Sequence, residues 1–198
     1  MRLKIILALC LMLIIFAFGC MSPAGVKPIP FPSPAPIPPP ILSPESRLVT
    51  ISFDDGYYNQ YEVALPVLVK HGFRASFGII TDHIGEGRGL GERMDKKDMQ
   101  ELAEWGMDIA SHTKTHPDLT GDLSDGELRR EIIDSKLDLE EMGFTVKTML
   151  YPYYKCNDKV IEYVREAGYV CARAGWSKEM VFDINTDEPG ARYRINAW

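Results

Sequence analysis

From Leu48 onward, apolar residues follow two alternating patterns. Short runs rich in apolar and β-branched residues end in polar clusters: Leu48 to Phe53, Arg74 to Ile80, Met107 to Ala110, Val146 to Leu150, Tyr169 to Arg173 and Tyr193 to Ala197. Between them, apolar residues return every three or four positions near Tyr61 to Lys70, Lys96 to Trp105, Asp125 to Met142 and Asp158 to Glu166. Leu128, Ile132, Ile133 and Leu137 show the spacing. The first pattern predicts strands and the second helices. Ser124 with Glu127 forms a capping box that starts the third helix. Strand-helix units repeated in this way predict a parallel sheet with right-handed crossovers.

The pattern breaks down before residue 47. Arg2 and Lys4 precede an uncharged apolar stretch from Ile5 to Met21, so residues 1–21 read as a secretory signal or a membrane anchor. Cys20, after Ala17-Phe18-Gly19, resembles a bacterial lipoprotein cleavage site. Residues 22–46 form a proline-rich linker, as in Pro28-Ile29-Pro30-Phe31-Pro32. Such a segment favours extended polyproline II and cannot bury a core. At about 3.1 Å per residue it holds a domain up to roughly 60 to 70 Å from a membrane. Residues 47–198 are then one domain, exported and tethered through an anchor or a lipid.

Composition narrows the partners. The 198 residues are 45% hydrophobic and 25% charged, an ordinary globular balance, with a formal net charge of −6. Loss of Arg2 and Lys4 with a leader would deepen that charge, so an acidic exported domain is a poor match for nucleic acid or other polyanions. Of four cysteines, Cys156 and Cys171 fall in the domain, and both a disulfide and two free thiols are compatible with export.

Chemistry collects where the strand-like runs end. Thr50-Ile51-Ser52-Phe53 leads into Asp54-Asp55-Gly56. Adjacent carboxylates on an extended backbone face apart, so one can ligate a metal while the other takes a proton. Ser111-His112-Thr113-Lys114-Thr115-His116 follows the third run. Spacing of i and i+4 predicts two imidazoles on one side of a helical turn, a grip suited to zinc. Asp55 can supply the third ligand. Two histidines and a carboxylate with open positions make a catalytic rather than a closed structural site. Zinc is the default for that donor set, and Co2+, Ni2+ or Mn2+ fit it too. Leu150-Tyr151-Pro152-Tyr153 ends the fourth run. Gly85 to Gly91 reads as a flexible loop, since it lacks the Lys-Ser/Thr of a phosphate loop, with the border of a substrate groove as the alternative. His71 is expected to cap a helix before Gly72, His83 to be exposed on a loop and Trp105 to be core, while Trp176 is balanced between stacking on a sugar and packing the fold.

In this order the segments resemble the polysaccharide deacetylase family, carbohydrate esterase family four. Ser52-Phe53-Asp54-Asp55-Gly56 matches its first motif, His112-Thr113-Lys114-Thr115-His116 its second, and Leu150-Tyr151-Pro152-Tyr153 part of its third. The framing stretches His71 to Phe77 and Val164 to Tyr169 also fit, so the resemblance spans Leu48 to Trp176. It implies an irregular (β/α) barrel and metal-assisted removal of N-acetyl groups from an extracellular or envelope polysaccharide. The metal would sit on Asp55, His112 and His116, Asp54 would be the base, and the Tyr153 backbone N–H would hold the oxyanion. A monomer acting on an N-acetylated glycan is expected.

Two departures from the family pattern carry expectations of their own. Leu150 stands where the family has an arginine that orients the base, and Arg173, ending the next strand, is expected to reach Asp54 instead. The late Leu-x-His motif and the Asp-x-x-Asp-Trp motif have no counterpart, because no histidine follows His116. The barrel is therefore expected to be incomplete at its C-terminus, with an open sheet edge and exposed apolar surface near Tyr193 to Trp198. Amide turnover would then fall roughly 10² to 10⁴-fold, the worth of one general acid, with esters less affected. Two further readings are an esterase or other amidase on the same metal, and a glycan-binding envelope protein without turnover.

Overall fold

The computed structural model describes residues 49–86, 91–175, 193, 195 and 196. The apolar leader, the proline-rich linker, residues 87–90 of the glycine loop, Trp176 and Trp198 lie outside them. Among the described residues no helix is long and apolar enough to cross a membrane.

Among the described residues six parallel strands form one sheet in sequence order: β1 (Ser52–Phe53), β2 (Ser76–Ile79), β3 (Asp108–Ser111), β4 (Thr148–Leu150), β5 (Cys171–Ala174) and β6 (Ile195–Asn196). The helices between them are α1 (Leu65–His71), α2 (Lys96–Glu104), α3 (Asp125–Arg129), α4 (Ser135–Glu141) and α5 (Asp158–Glu166). The result is an incomplete (β/α) barrel, as the strand-helix alternation and the family resemblance implied. Its strands are shorter than their apolar runs. Pairing β1 with β2, for example, engages only Ser52 with Ser76 and Phe53 with Phe77. Strictly parallel pairing has a consequence for the site, because every strand delivers its C-terminal end to the same rim.

Phe77, Ile109 and Met149 come from the sheet, and Leu102, Leu139 and Val164 from the helices, to make one buried core. Phe77 stacks on Phe53 with ring centroids 5.0 Å apart, which anchors β1 immediately before Asp54. Trp105 is buried in that core. No disulfide joins Cys156 and Cys171.

Helix termini follow local chemistry. Ser124 and Glu127 form the expected reciprocal cap on α3. Asp95 and Asp98 do the same for α2, with Asp98 in the place usually held by Glu or Gln. Gly72, at φ 68°, ends α1 after the exposed His71, a left-handed geometry that costs glycine little. Two helical stretches depart from plain α-helix. π-helical turns occupy Gln60–Ala64 before α1 and Arg130–Asp134 between α3 and α4. The second lets the adjacent residues Glu131 and Ile132 both be buried.

Gly78 in β2 has no room for a side chain. A Cβ there would sit 2.7 Å from Leu150 Cδ1 and 3.3 Å from the Cβ of His112. Leu150 is itself buried, so a shift of its Cδ1 has to displace core neighbours. Gly78→Ala is expected to destabilise the domain by about 1–3 kcal/mol, the usual cost of overpacking, read from urea unfolding. An unchanged midpoint would show that β2 and β4 yield more easily than this packing implies.

Candidate metal centre

Asp54 and Asp55 follow β1 directly and meet different partners, Arg173 for Asp54 and the two histidines for Asp55. Asp55 adopts φ 74° and Gly56 φ 67°, so the chain turns left-handed at once after the strand. Such a conformation at a non-glycine residue costs on the order of 1–3 kcal/mol and marks functional segments. It is held in place locally: the Arg93 guanidinium donates to the Asp55 carbonyl, and Met94 N–H donates to Gly56 O at 2.9 Å. Gln60 Nε2 donates to Asp54 O at 2.5 Å.

His112 and His116 are not on a helical turn, which corrects the expectation from their spacing. The chain leaves β3 as a loop in which Thr113 (φ 68°) and His116 (φ 65°) are both left-handed. His116 N–H donates to Thr113 Oγ1 at 2.9 Å and closes the loop on itself. A helix would have needed all five residues right-handed. Two left-handed residues instead fold the loop back until the imidazole centroids are 4.7 Å apart, edge to face.

Asp55 Oδ1 lies 3.5 Å from His112 Nε2 and 3.5 Å from His116 Nε2. All three candidate ligand atoms fall within 4.8 Å of one another. Atoms about 2.0–2.2 Å from one zinc-sized ion in tetrahedral array stand roughly 3.3 to 3.6 Å from each other, so both Asp55 spacings suit a shared cation. His112 Nδ1 faces Leu150 O at 2.6 Å. A carbonyl only accepts, so Nδ1 carries the proton and Nε2 turns its lone pair to the site. The facing His112 ring first, with Arg93 as a lesser influence, holds the Asp55 carboxyl below its ordinary range against the opposing effect of burial. Burial first, then the neighbouring His112, keeps His116 below the ordinary imidazole range and hence neutral. Three converging acceptors call for a cation, and this donor set fits a divalent metal.

Arg173, the last but one residue of β5, crosses to β1: its Nη2 donates to Asp54 Oδ1 at 2.7 Å. The Tyr154 ring covers the guanidinium at 4.6 Å. Leu150 is buried, and its contribution to the site is the carbonyl that receives His112. Tyr153, at φ 54°, lies in the tight turn Pro152–Tyr154 with its ring edge-on to His116 at 4.8 Å. The structure thus brings Asp54, Asp55, His112, His116, Tyr153 and Arg173 to one rim. His83 is not there as an exposed loop residue. It sits half-buried in the turn Thr81–His83 with Nδ1 shielded from solvent, because this turn packs beneath the histidine loop. Sequence reading missed Glu131, whose buried carboxylate also meets the histidine loop.

The profile of the polysaccharide deacetylase family matches residues 42–172. YxkH of Bacillus subtilis, assigned to the polysaccharide deacetylases, is 35% identical over 127 residues, which cover 64% of this chain and 44% of that protein. The poly-β-1,6-N-acetyl-D-glucosamine N-deacetylase of Staphylococcus aureus is 28% identical over 132 residues, covering 62% and 46%. The chain therefore spans a little under half the length of these curated relatives. Among solved structures, the Streptococcus pyogenes deacetylase PplD in complex with acetate superposes with a TM-score of 0.65 at 25% identity, over 78% of this chain and 66% of that one.

Replacing Asp55, His112 or His116 by Ala is expected to weaken zinc or cobalt binding by more than the roughly 10 to 100-fold that loss of an outer hydrogen-bond partner costs. Asp54→Asn should leave the metal in place. Metal analysis after equilibrium dialysis decides. If Asp54→Asn strips the metal and Asp55→Asn does not, the two acids have the opposite roles.

Proposed function

This chain belongs to the polysaccharide deacetylase family, and from that premise we propose that it hydrolyses N-acetyl groups on a polysaccharide of the cell envelope. One observation carries the reading. Asp55, His112 and His116 converge as a ligand set beside a second carboxylate, Asp54, that is held apart from them by Arg173.

The reaction class follows from these positions. A divalent metal on the three ligands, zinc by preference, supplies a positive charge that polarises the acetyl carbonyl and makes water more acidic. Asp54 takes the proton from the water that attacks the carbonyl carbon and returns it to the amine nitrogen as the C–N bond breaks, so that acetate and the free amine leave. Arg173 keeps the Asp54 carboxylate oriented through its charge-assisted hydrogen bond. The Tyr153 backbone N–H is assigned to the oxyanion, because its left-handed turn holds this residue against His116. The half-exposed Tyr153 and Tyr154 rings present flat apolar faces at the rim, a surface that suits a sugar ring.

Support for the substrate comes from the S. aureus relative, whose name states a poly-β-1,6-linked N-acetylglucosamine polymer. The charge balance of this chain points the same way, away from polyanions. We place the domain outside the cytoplasmic membrane, as a monomer tethered by residues 1–21, or by a lipid on Cys20, through the linker at 22–46.

Acetate release from N-acetylglucosamine polymers, peptidoglycan fragments and acetyl-xylan tests the activity. N-acetylated substrates should release acetate only when metal is present, and Asp54→Asn should lower kcat about 10² to 10⁴-fold. Arg173→Leu should lower kcat with KM little changed. Faster turnover of acetyl-xylan than of any N-acetylated glycan would replace this reading with an esterase. Fractionation of cells making the full chain checks the location: membrane-bound protein whose domain is open to added protease is expected, and soluble cytoplasmic protein would contradict it.

A further inference from the structure

Glu131 is 4% exposed, yet it does not belong to the apolar core. It lies in the π-helical turn Arg130–Asp134, where the added residue in the turn accompanies its burial next to Ile132. Its carboxylate faces the loop that carries both histidines. Oε2 accepts from Lys114 N–H at 3.0 Å and from Thr115 N–H at 2.7 Å, and Oε1 accepts from Thr115 Oγ1 at 2.8 Å. Arg130 Nη1 stands further off, 3.9 Å from Oε1.

These bonds fall between the two left-handed residues of the loop, Thr113 and His116. A left-handed residue relaxes unless its neighbours are held, and here the held neighbours are Lys114 and Thr115. Other ties hold the first half of the loop from outside, where Thr81 N–H donates to Thr113 O at 3.1 Å and Asp82 N–H to Lys114 O at 3.0 Å, and one lies within the loop, from His116 N–H to Thr113 Oγ1 at 2.9 Å. His112 has its own bond to Leu150 O. The internal bond of His116 holds only if Thr113 and His116 keep their left-handed turn, and Glu131 fixes Thr115, the residue that leads into His116.

We propose that Glu131 is a positioning residue for the metal centre, a buried carboxylate that clamps the histidine loop through two backbone N–H groups and one hydroxyl and so presents His116 Nε2 toward Asp55. The proposal rests on the metal-site reading above. Its requirement is reach more than charge, because both amides converge on a single oxygen. A glutamine carbonyl can accept the same two N–H bonds, and the Thr115 hydroxyl can turn to accept from the amide nitrogen. An aspartate keeps the charge but is one methylene too short.

The test compares Glu131→Gln, Glu131→Asp and Glu131→Ala with the unaltered chain, using only protein shown to be folded by circular dichroism. Two readouts are taken: cobalt affinity followed by its visible spectrum, and amide hydrogen exchange of the metal-free protein. Glu131→Gln should bind cobalt within about threefold of the unaltered chain with the same spectrum. Glu131→Asp, and Glu131→Ala where it folds, should bind roughly 10 to 100-fold more weakly with an altered spectrum. In the metal-free protein, exchange at the Lys114 and Thr115 amides should be slow in the unaltered chain and Glu131→Gln, and fast in Glu131→Asp. Cobalt affinity in Glu131→Asp equal to that of the unaltered chain would overturn the proposal, as would loss in Glu131→Gln as large as in Glu131→Asp. An unaltered chain with protected Lys114 and Thr115 amides that binds no cobalt would overturn the metal-site reading and leave the clamp standing.

Discussion

The hydrogen bond from His112 Nδ1 to the Leu150 carbonyl is the contact on which the rest of the rim depends. It joins the ends of β3 and β4 inside the molecule, fixes the imidazole tautomer, and sends Nε2 toward Asp55. Without it the ring could rotate or carry its proton on the wrong nitrogen, and Asp55 would face a donor where the site needs a lone pair. Gly78 makes the arrangement possible by leaving empty the space that Leu150 Cδ1 and His112 Cβ approach. A strand position that looks featureless in the sequence is therefore part of the centre.

Around that contact, each segment stores a small conformational cost and each cost has an identifiable restraint. Asp55 is left-handed and is tied through its carbonyl to Arg93. Thr113 and His116 are left-handed and are tied through the loop between them to Glu131. Tyr153 and Tyr154 are left-handed, and Tyr154 is tied to Gly175, whose N–H donates to Tyr154 O at 2.9 Å. Tyr154 in turn stacks over Arg173, which binds Asp54. Strain at every functional corner, held by bonds from neighbouring elements, is the physical meaning of a preorganised site.

The sheet and its helices were legible because parallel strands buried on both faces leave apolar runs, and their crossover helices leave a period near 3.6. Asp54, Asp55, His112 and His116 were legible because polar residues at the ends of such runs land on one rim. The reach of Arg173 could be read from strand order, since a residue ending the fifth run shares that rim. Backbone handedness at Thr113 and His116 could not be read, because neither residue is a glycine and the i, i+4 spacing mimics a helix. Glu131 was hidden for a related reason. Within the Asp125 to Met142 pattern a charged residue is assigned to the solvent face, and only a π-helical turn rotates it inward.

X-ray absorption at the zinc edge of the metal-loaded chain tests the centre most directly. The account predicts a first shell of nitrogen and oxygen at about 2.0–2.2 Å, with the multiple-scattering pattern of two imidazoles and no sulfur. A sulfur shell near 2.3 Å, from Cys156 or Cys171, or a spectrum with one imidazole or none, would contradict it.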